Sequence, residues 1–266
     1  MPGFIIHLTE AAMIMEHMKK QPDSDWKQEF LLGNLLPDTR LGKDKAISHF
    51  WAPEGWENIA RAPKLSRFLE KYGDRLNEPV ILGYYAHLYL DERYVNEYWP
   101  TILTFEDEKG RPEPRKAFIH RVELKESGRF IPFEKFFSSE YYYGDYTRSN
   151  HWLVDKYHIQ PPEYRYLENV NMDEVNASQL ERVLKELECI CHKGRPGDEK
   201  EMKVFNLAGL EAFVRYTAET FCQDMIQMPH IIDSKIGRAH VELQSHTQIS
   251  YAVFCLKKKR GGGGGG

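Results

Sequence analysis

The chain reads as an all-α protein, and three observations carry that reading. Apolar residues recur at helical spacing in one segment after another, no strand-like alternation of useful length interrupts them, and the connections are mostly short. With no internal repeat, the economical architecture is a single multi-helix, bundle-like domain over residues 1 to about 235.

The elements follow in order. Residues 4–20, FIIHLTEAAMIMEHMKK, place Ile5, Leu8, Ala12, Met15 and Met18 three or four apart, which predicts an amphipathic helix ended by Pro22 and Asp23. Trp26 to Leu36 is a second, short helix stopped by Pro37, and Thr39 to Glu57 is a loop rich in Gly, Pro and aromatics. Pro63 to Tyr72 has Pro near its start and Gly73 just past its end, the usual punctuation of a helix. Pro79 to Tyr98, PVILGYYAHLYLDERYVNEY, is apolar nearly all round in its first three turns and predicts a central, buried helix closed by Pro100. The stretch to Pro132 holds charged turns from Glu106 to Pro114 and a short apolar segment, Ala117 to Leu124. Phe133 to Phe137, Tyr146 to Tyr157 and Val175 to His192 read as helices, the last with Leu180, Val183, Leu184 and Leu187 on one face. A charged Gly/Pro loop covers residues 193–200, and Leu207 to Met228 is a final helix before Pro229.

Composition narrows the function classes. At 41% hydrophobic, 29% charged and 13% aromatic, the 266 residues are those of an ordinary globular protein and not of a disordered, collagenous or disulfide-stapled one. No run approaches the roughly 18 apolar residues of a membrane helix, and no basic stretch leads into an apolar, cleavable segment at the N-terminus. A cytoplasmic protein with its four Cys reduced is expected.

The C-terminus stands apart. Ile236 to Leu256, IGRAHVELQSHTQISYAVFCL, resembles a common short-read sequencing adapter translated in frame, Lys257 to Lys259 resemble translated poly-A, and Gly261 to Gly266 resemble translated poly-G. Residues 236–266 are therefore set aside as a non-native tail, together with His240, His246 and Cys255 as ligands. The remaining body carries 31 basic and 39 acidic residues, a net charge of −8 in place of −4, which disfavours nucleic acid as a partner.

One pair of residues invites chemistry. His87 and Asp91 lie four apart on the central helix, so their Cβ atoms are neighbours roughly 6 Å apart on one face, able to chelate a metal or to form a simple hydrogen-bonded pair. A carboxylate among Ile81, Leu82, Tyr84, Tyr85, Leu88 and Leu90 is costly unless it is paired or metal-bound. His7 among Ile5, Ile6 and Leu8, Asp38 after Pro37, and His49 in SHF are further ligands in kind. Each has a plain alternative: a core histidine, a turn or capping residue, a loop aromatic. Asp145 with Asn150 either lines a site or caps the helix near Tyr146, while His151 and His158 read as structural or surface residues. Cys189-Ile190-Cys191-His192 lacks the two-to-four-residue gap of zinc knuckles and reads as a helix end. Tyr141, Tyr142 and Tyr143 either face substrate or belong to the core.

Taken in order, MPGFIIH, FLLGNLLPD, SHF and GYYAHLYLDE resemble small bacterial members of the zinc-dependent phospholipase C-like family, related in fold to the secreted zinc phospholipases and the single-strand nucleases. The resemblance spans residues 1 to about 100, and extends loosely to about 160 through YYYGDYTRSN. It implies the zinc phospholipase C type of helical fold, His7, Asp38, His49, His87 and Asp91 as metal ligands, and Asp38 as a catalytic residue that bridges two ions or orients the water. It further implies a zinc-dependent hydrolase of a lipid or small-molecule phosphoester, with a zinc-activated water as nucleophile. The secreted enzymes use their processed N-terminal residue and a further His and Glu; here the chain begins Met1-Pro2, and after Asp91 come Glu92 and Glu97 with no histidine before His120. One or two zinc ions are expected in place of three. HD-type phosphohydrolases are excluded because no His is followed by Asp. The rival from another class is a non-catalytic helical protein in which these residues hold a structural metal or a buried polar network.

Overall fold

The computed structural model describes residues 2–18, 22–163, 170–192 and 202–228. The adapter-like tail and the 193–200 loop lie outside the described residues.

The centre of the molecule is a pair of helices whose backbones nearly touch. In α1 (Phe4–His17), α2 (Ser24–Leu35), α3 (Lys45–Ser48), α4 (Leu65–Tyr72) and α5 (Pro79–Arg93), the start signals are those of the sequence: Asp23 accepts the Trp26 N–H at 2.8 Å to cap α2, and Pro79 opens α5 where its missing N–H costs nothing. Where α2 crosses α5, a Cβ on Gly33 would lie 2.0 Å from the Val80 carbonyl oxygen, and one on Gly83 would lie 2.0 Å from that of Phe30. Only hydrogen fits at either position. The reciprocal contact sets α2 against the face of α5 that carries His87.

After Arg93 the helix does not simply run on to Tyr98. Tyr94–Tyr98 forms one widened π turn, and α6 (Trp99–Ile102) follows with Pro100 in its first turn. Three short strands come next, β1 (Leu103–Glu106), β2 (Arg121–Leu124) and β3 (Arg129–Pro132), in an antiparallel sheet of that order, with Leu103 opposite Leu124 and Val122 opposite Ile131. This corrects the expectation of no strands. Each strand has four residues, and in β2 only Val122 and Leu124 are buried, which is too little alternation to register as a pattern.

The chain then returns to helices: α7 (Phe133–Phe136), α8 (Tyr142–Tyr157), α9 (Leu180–His192) and α10 (Leu207–Gln227). α8 begins four residues before the expected Tyr146, and α9 begins five after Val175. α1 packs on α2, α5, α8 and α10, so its buried set, Ile5, Ile6, His7, Leu8, Thr9, Glu10, Ala11, Met13 and Ile14, runs nearly all round. The amphipathic reading of this helix is thereby corrected: it is central, because neighbours cover it on several sides. One hydrophobic cluster joins these elements. The fold is mainly α, and among the described residues no helix is long and apolar enough to cross a membrane.

Candidate metal centre

Four local structures bring five side chains to one place. His7 is in the second turn of α1, Asp38 is in the 3-10 turn Leu36–Thr39 that ends α2, His49 follows α3, and His87 and Asp91 are on α5. Pro37 ends α2 as expected, and Thr39 locks the turn by donating its hydroxyl to the Leu36 carbonyl at 2.7 Å. Beyond His49 the chain reverses at Phe50, whose φ of +51° is strained for a residue with a Cβ. Its ring is held edge-on by Phe68 and Tyr84, and the Tyr84 hydroxyl donates to the Ser48 carbonyl.

The five converge tightly. His7 Nε2 is 3.5 Å from Asp91 Oδ1, while His49 Nε2 and His87 Nε2 are each 3.6 Å from Asp91 Oδ2. His49 Nε2 is 3.8 Å from Asp38 Oδ1, the His7 and His87 rings stack at 3.6 Å, and His49 meets His87 edge-on. Asp38 is 7% exposed and the other four at most 1%. Two groups have ligand atoms within 4.8 Å of one another: His7, His87 and Asp91, and Asp38, His49 and His87.

The second layer fixes which atoms face inward. His87 Nδ1 is 2.8 Å from the Asn34 carbonyl and His49 Nδ1 is 3.1 Å from the Lys45 carbonyl, with Ser48 Oγ at 3.0 Å. A carbonyl can only accept, so His87 Nδ1 carries the proton and its Nε2 presents a bare lone pair; the Lys45 carbonyl favours the same tautomer for His49. Those lone pairs face each other at 3.4 Å, beside a carboxylate that has no hydrogen-bond partner on either oxygen. Neither nitrogen of His7 has one either. Burial pushes His7 and His49 down to about 3 and His87 to about 4, so none of the three is an imidazolium at neutral pH.

Bare donors converging without a hydrogen between them are the kind of arrangement that a cation would satisfy. Spacing agrees: ligands about 2.0–2.1 Å from a tetrahedral zinc are about 3.3–3.4 Å from one another, close to the 3.4–3.8 Å seen. Asp91 turns one oxygen to His7 and the other to His49 and His87, the arrangement of a carboxylate able to bridge two ions. His87 has only Nε2 to offer, so two ions cannot both take it. Asp38 is held differently. Burial raises its pKa, but the charge of Lys45, whose Nζ is 2.6 Å from Oδ1, works against burial and keeps it ionised.

Other polar candidates belong elsewhere. Asp145 neither caps α8 nor lines this centre; from within the first turn of α8 its Oδ2 accepts the backbone N–H groups of Lys203, Val204 and Phe205 at 2.9, 2.5 and 2.9 Å, and Arg148 pairs with Oδ1. His158 is the left-handed residue that ends α8. Cys189, Cys191 and His192 lie in the last turn of α9, with Cys189 exposed. Tyr142 is buried in the core and Tyr143 is exposed. Sequence reasoning passed over Asn34, which acts through its backbone carbonyl and so leaves no side-chain signal. It passed over Lys45, one of several charges in LGKDK, and Glu10, whose place in an apolar helix one turn from His7 was a signal.

No family model matches the chain, and no curated protein or solved structure shows a significant match to it.

Proposed function

We propose that the protein is a metal-dependent hydrolase of a phosphoester, with zinc held by His7, Asp38, His49, His87 and Asp91. One observation carries the reading: two imidazole lone pairs at 3.4 Å, each ring held inward by a backbone carbonyl, beside a buried carboxylate with no hydrogen-bond partner. Imidazole and carboxylate donors suit zinc, which when bound supplies Lewis acidity and a water acidic enough to be a nucleophile near neutral pH. The chain's own residues do the rest. Asn34 and Lys45 orient His87 and His49 through their carbonyls, and Lys45 holds Asp38 as an anion at the least buried side of the cluster, where it can orient a water by accepting its hydrogen bond. Lys45 also brings a positive charge to the side where phosphate oxygens would approach.

A second reading is favoured by the depth of the site. Four of the five side chains are at most 1% exposed, as in a closed structural metal site that offers no position for water. Turnover separates the two. After chelation and return of zinc, the full chain hydrolyses p-nitrophenyl phosphate or bis-p-nitrophenyl phosphate, and Asp38→Asn lowers kcat at least a hundredfold while zinc stays bound. A chain that binds zinc but turns over neither ester is a structural metalloprotein.

A further inference from the structure

Beside the cluster lies a cavity of about 240 Å³. Lys45 and Arg61 line it together with Trp51, Trp99, Tyr142 and Tyr143, and no carboxylate does. It adjoins the centre through its wall: Lys45 reaches from it to Asp38 at 2.6 Å, and the Trp51 ring lies 5.6 Å from that of His49.

Three donors in this wall are unspent. Arg61 has no carboxylate partner among the described residues; its guanidinium lies 4.3 Å over the Trp51 ring and 5.4 Å from that of Trp56. Burial without a counter-charge lowers its pKa, the opposite of what an ion pair would do. The Trp51 indole N–H is buried with no hydrogen-bond partner. Lys45 has three N–H donors and gives one to Asp38. The Trp51 indole is a buried donor left unmade, so a ligand that accepts from it recovers what the fold has spent, with Lys45 and Arg61 placed to supply charge beside it.

Resting on the metal-centre reading, we infer that this cavity is the substrate subsite, that it takes a small phosphomonoester carrying one flat apolar group, and that Arg61 and Trp51 set that specificity. The phosphoryl group, a dianion, lies between the metal cluster and the Lys45, Arg61 and Trp51 donors, and the flat body packs against the aromatic wall. The cavity is smaller than the roughly 300 Å³ at which sites for drug-sized ligands begin, so the two acyl chains of a phospholipid do not fit within it.

Calorimetry with phenylphosphonate, whose P–C bond is not hydrolysed, and with inorganic phosphate tests this on the zinc-loaded full chain, with zinc content measured on every sample. The expected result is one phenylphosphonate per chain, bound at least tenfold tighter than inorganic phosphate. Arg61→Ala weakens it at least tenfold with zinc content unchanged, and Arg61→Lys, which keeps the charge and loses the stacked fork, falls between. Arg61 is on a half-buried loop, so both variants are expected to fold, and circular dichroism verifies it. Equal binding by the parent and Arg61→Ala, or no preference for phenylphosphonate over phosphate, overturns the inference while leaving the metal reading intact. Should the chain hold no zinc, the metal reading fails by itself. Arg61-dependent binding of phenylphosphonate to the metal-free chain then still supports the subsite, and its absence overturns it.

Discussion

Gly33→Ala is the substitution for which the structure makes the sharpest demand. The new Cβ would sit 2.0 Å from the Val80 carbonyl oxygen and 2.7–2.8 Å from two further backbone atoms, where ordinary contact needs about 3.4 Å or more. Neither partner is a side chain that can rotate away. α2 and α5 must therefore separate locally by more than about 1 Å, in a core packed too closely to absorb the shift. Overpacking of this kind costs about 1–3 kcal/mol, and the 2.8 Å bond from His87 to the Asn34 carbonyl, next along α2, stretches out of range for about 1 kcal/mol more. A total of about 3 kcal/mol lowers the melting temperature by about 10 °C in a chain of this size. Urea denaturation of the parent and the variant measures it. Gly83→Ala should match it, since its Cβ meets the Phe30 carbonyl oxygen at 2.0 Å, while Gly73→Ala, whose Cβ meets only Leu69 Cβ at 3.9 Å, should be neutral or slightly stabilising. The substitution should also weaken zinc binding about 10- to 100-fold through the freed His87 ring. A Gly33→Ala protein within 0.5 kcal/mol of its parent would refute the backbone-contact argument.

Asp145→Asn removes the charge that gathers three backbone N–H groups at residues 203–205, and should cost about 2–3 kcal/mol in urea denaturation with no change in zinc content. Acid should destabilise the metal-free protein. His7, His49 and His87 have folded pKa values of about 3 to 4 against about 6.5 unfolded, so the unfolded chain takes up protons first and stability falls as pH drops from about 6.5 toward 4. The fall should be about 2 kcal/mol from pH 7 to 6 and about 4 kcal/mol from pH 6 to 5, measured by denaturation in chelator at pH 7, 6 and 5; a flat profile contradicts it. Glu10 works in the opposite sense. Burial, and then the charge of Asp91, raises its pKa, and neither oxygen has a hydrogen-bond partner, so its ionisation weakens the fold as pH rises above about 4.5. Glu10→Gln should therefore stabilise the protein at pH 7 by about 1–2 kcal/mol and by less at pH 5, and an equal or larger gain at pH 5 would contradict the assignment.

The His87 and Asp91 pair was legible because polar residues four apart in an otherwise apolar helix have few uses, and Pro37 marked the turn that presents Asp38. The mainly helical fold was legible through spacing: 3.6-residue periodicity survives in segments such as Leu180 to His192, where Leu180, Val183 and Leu187 are the buried residues. What periodicity cannot carry is tertiary. Gly33 and Gly83 are visible as glycines, but their purpose exists only once α2 lies on α5. Asn34 and Lys45 orient ligands through carbonyls that every residue possesses. The β1–β3 sheet is made of strands whose inward residues number two or fewer, and the early start of α8 follows from backbone contacts to Ser138 that no side-chain pattern announces.

The central claim is that the five converging side chains hold a metal, and zinc content per chain by mass spectrometry tests it most directly. The full chain, equilibrated with zinc and freed of excess, should retain one or two ions per molecule, and His87→Ala should lose them while keeping its helical circular dichroism. A parent that retains no zinc under zinc-replete conditions, or a His87→Ala variant that retains as much as its parent, would contradict the account.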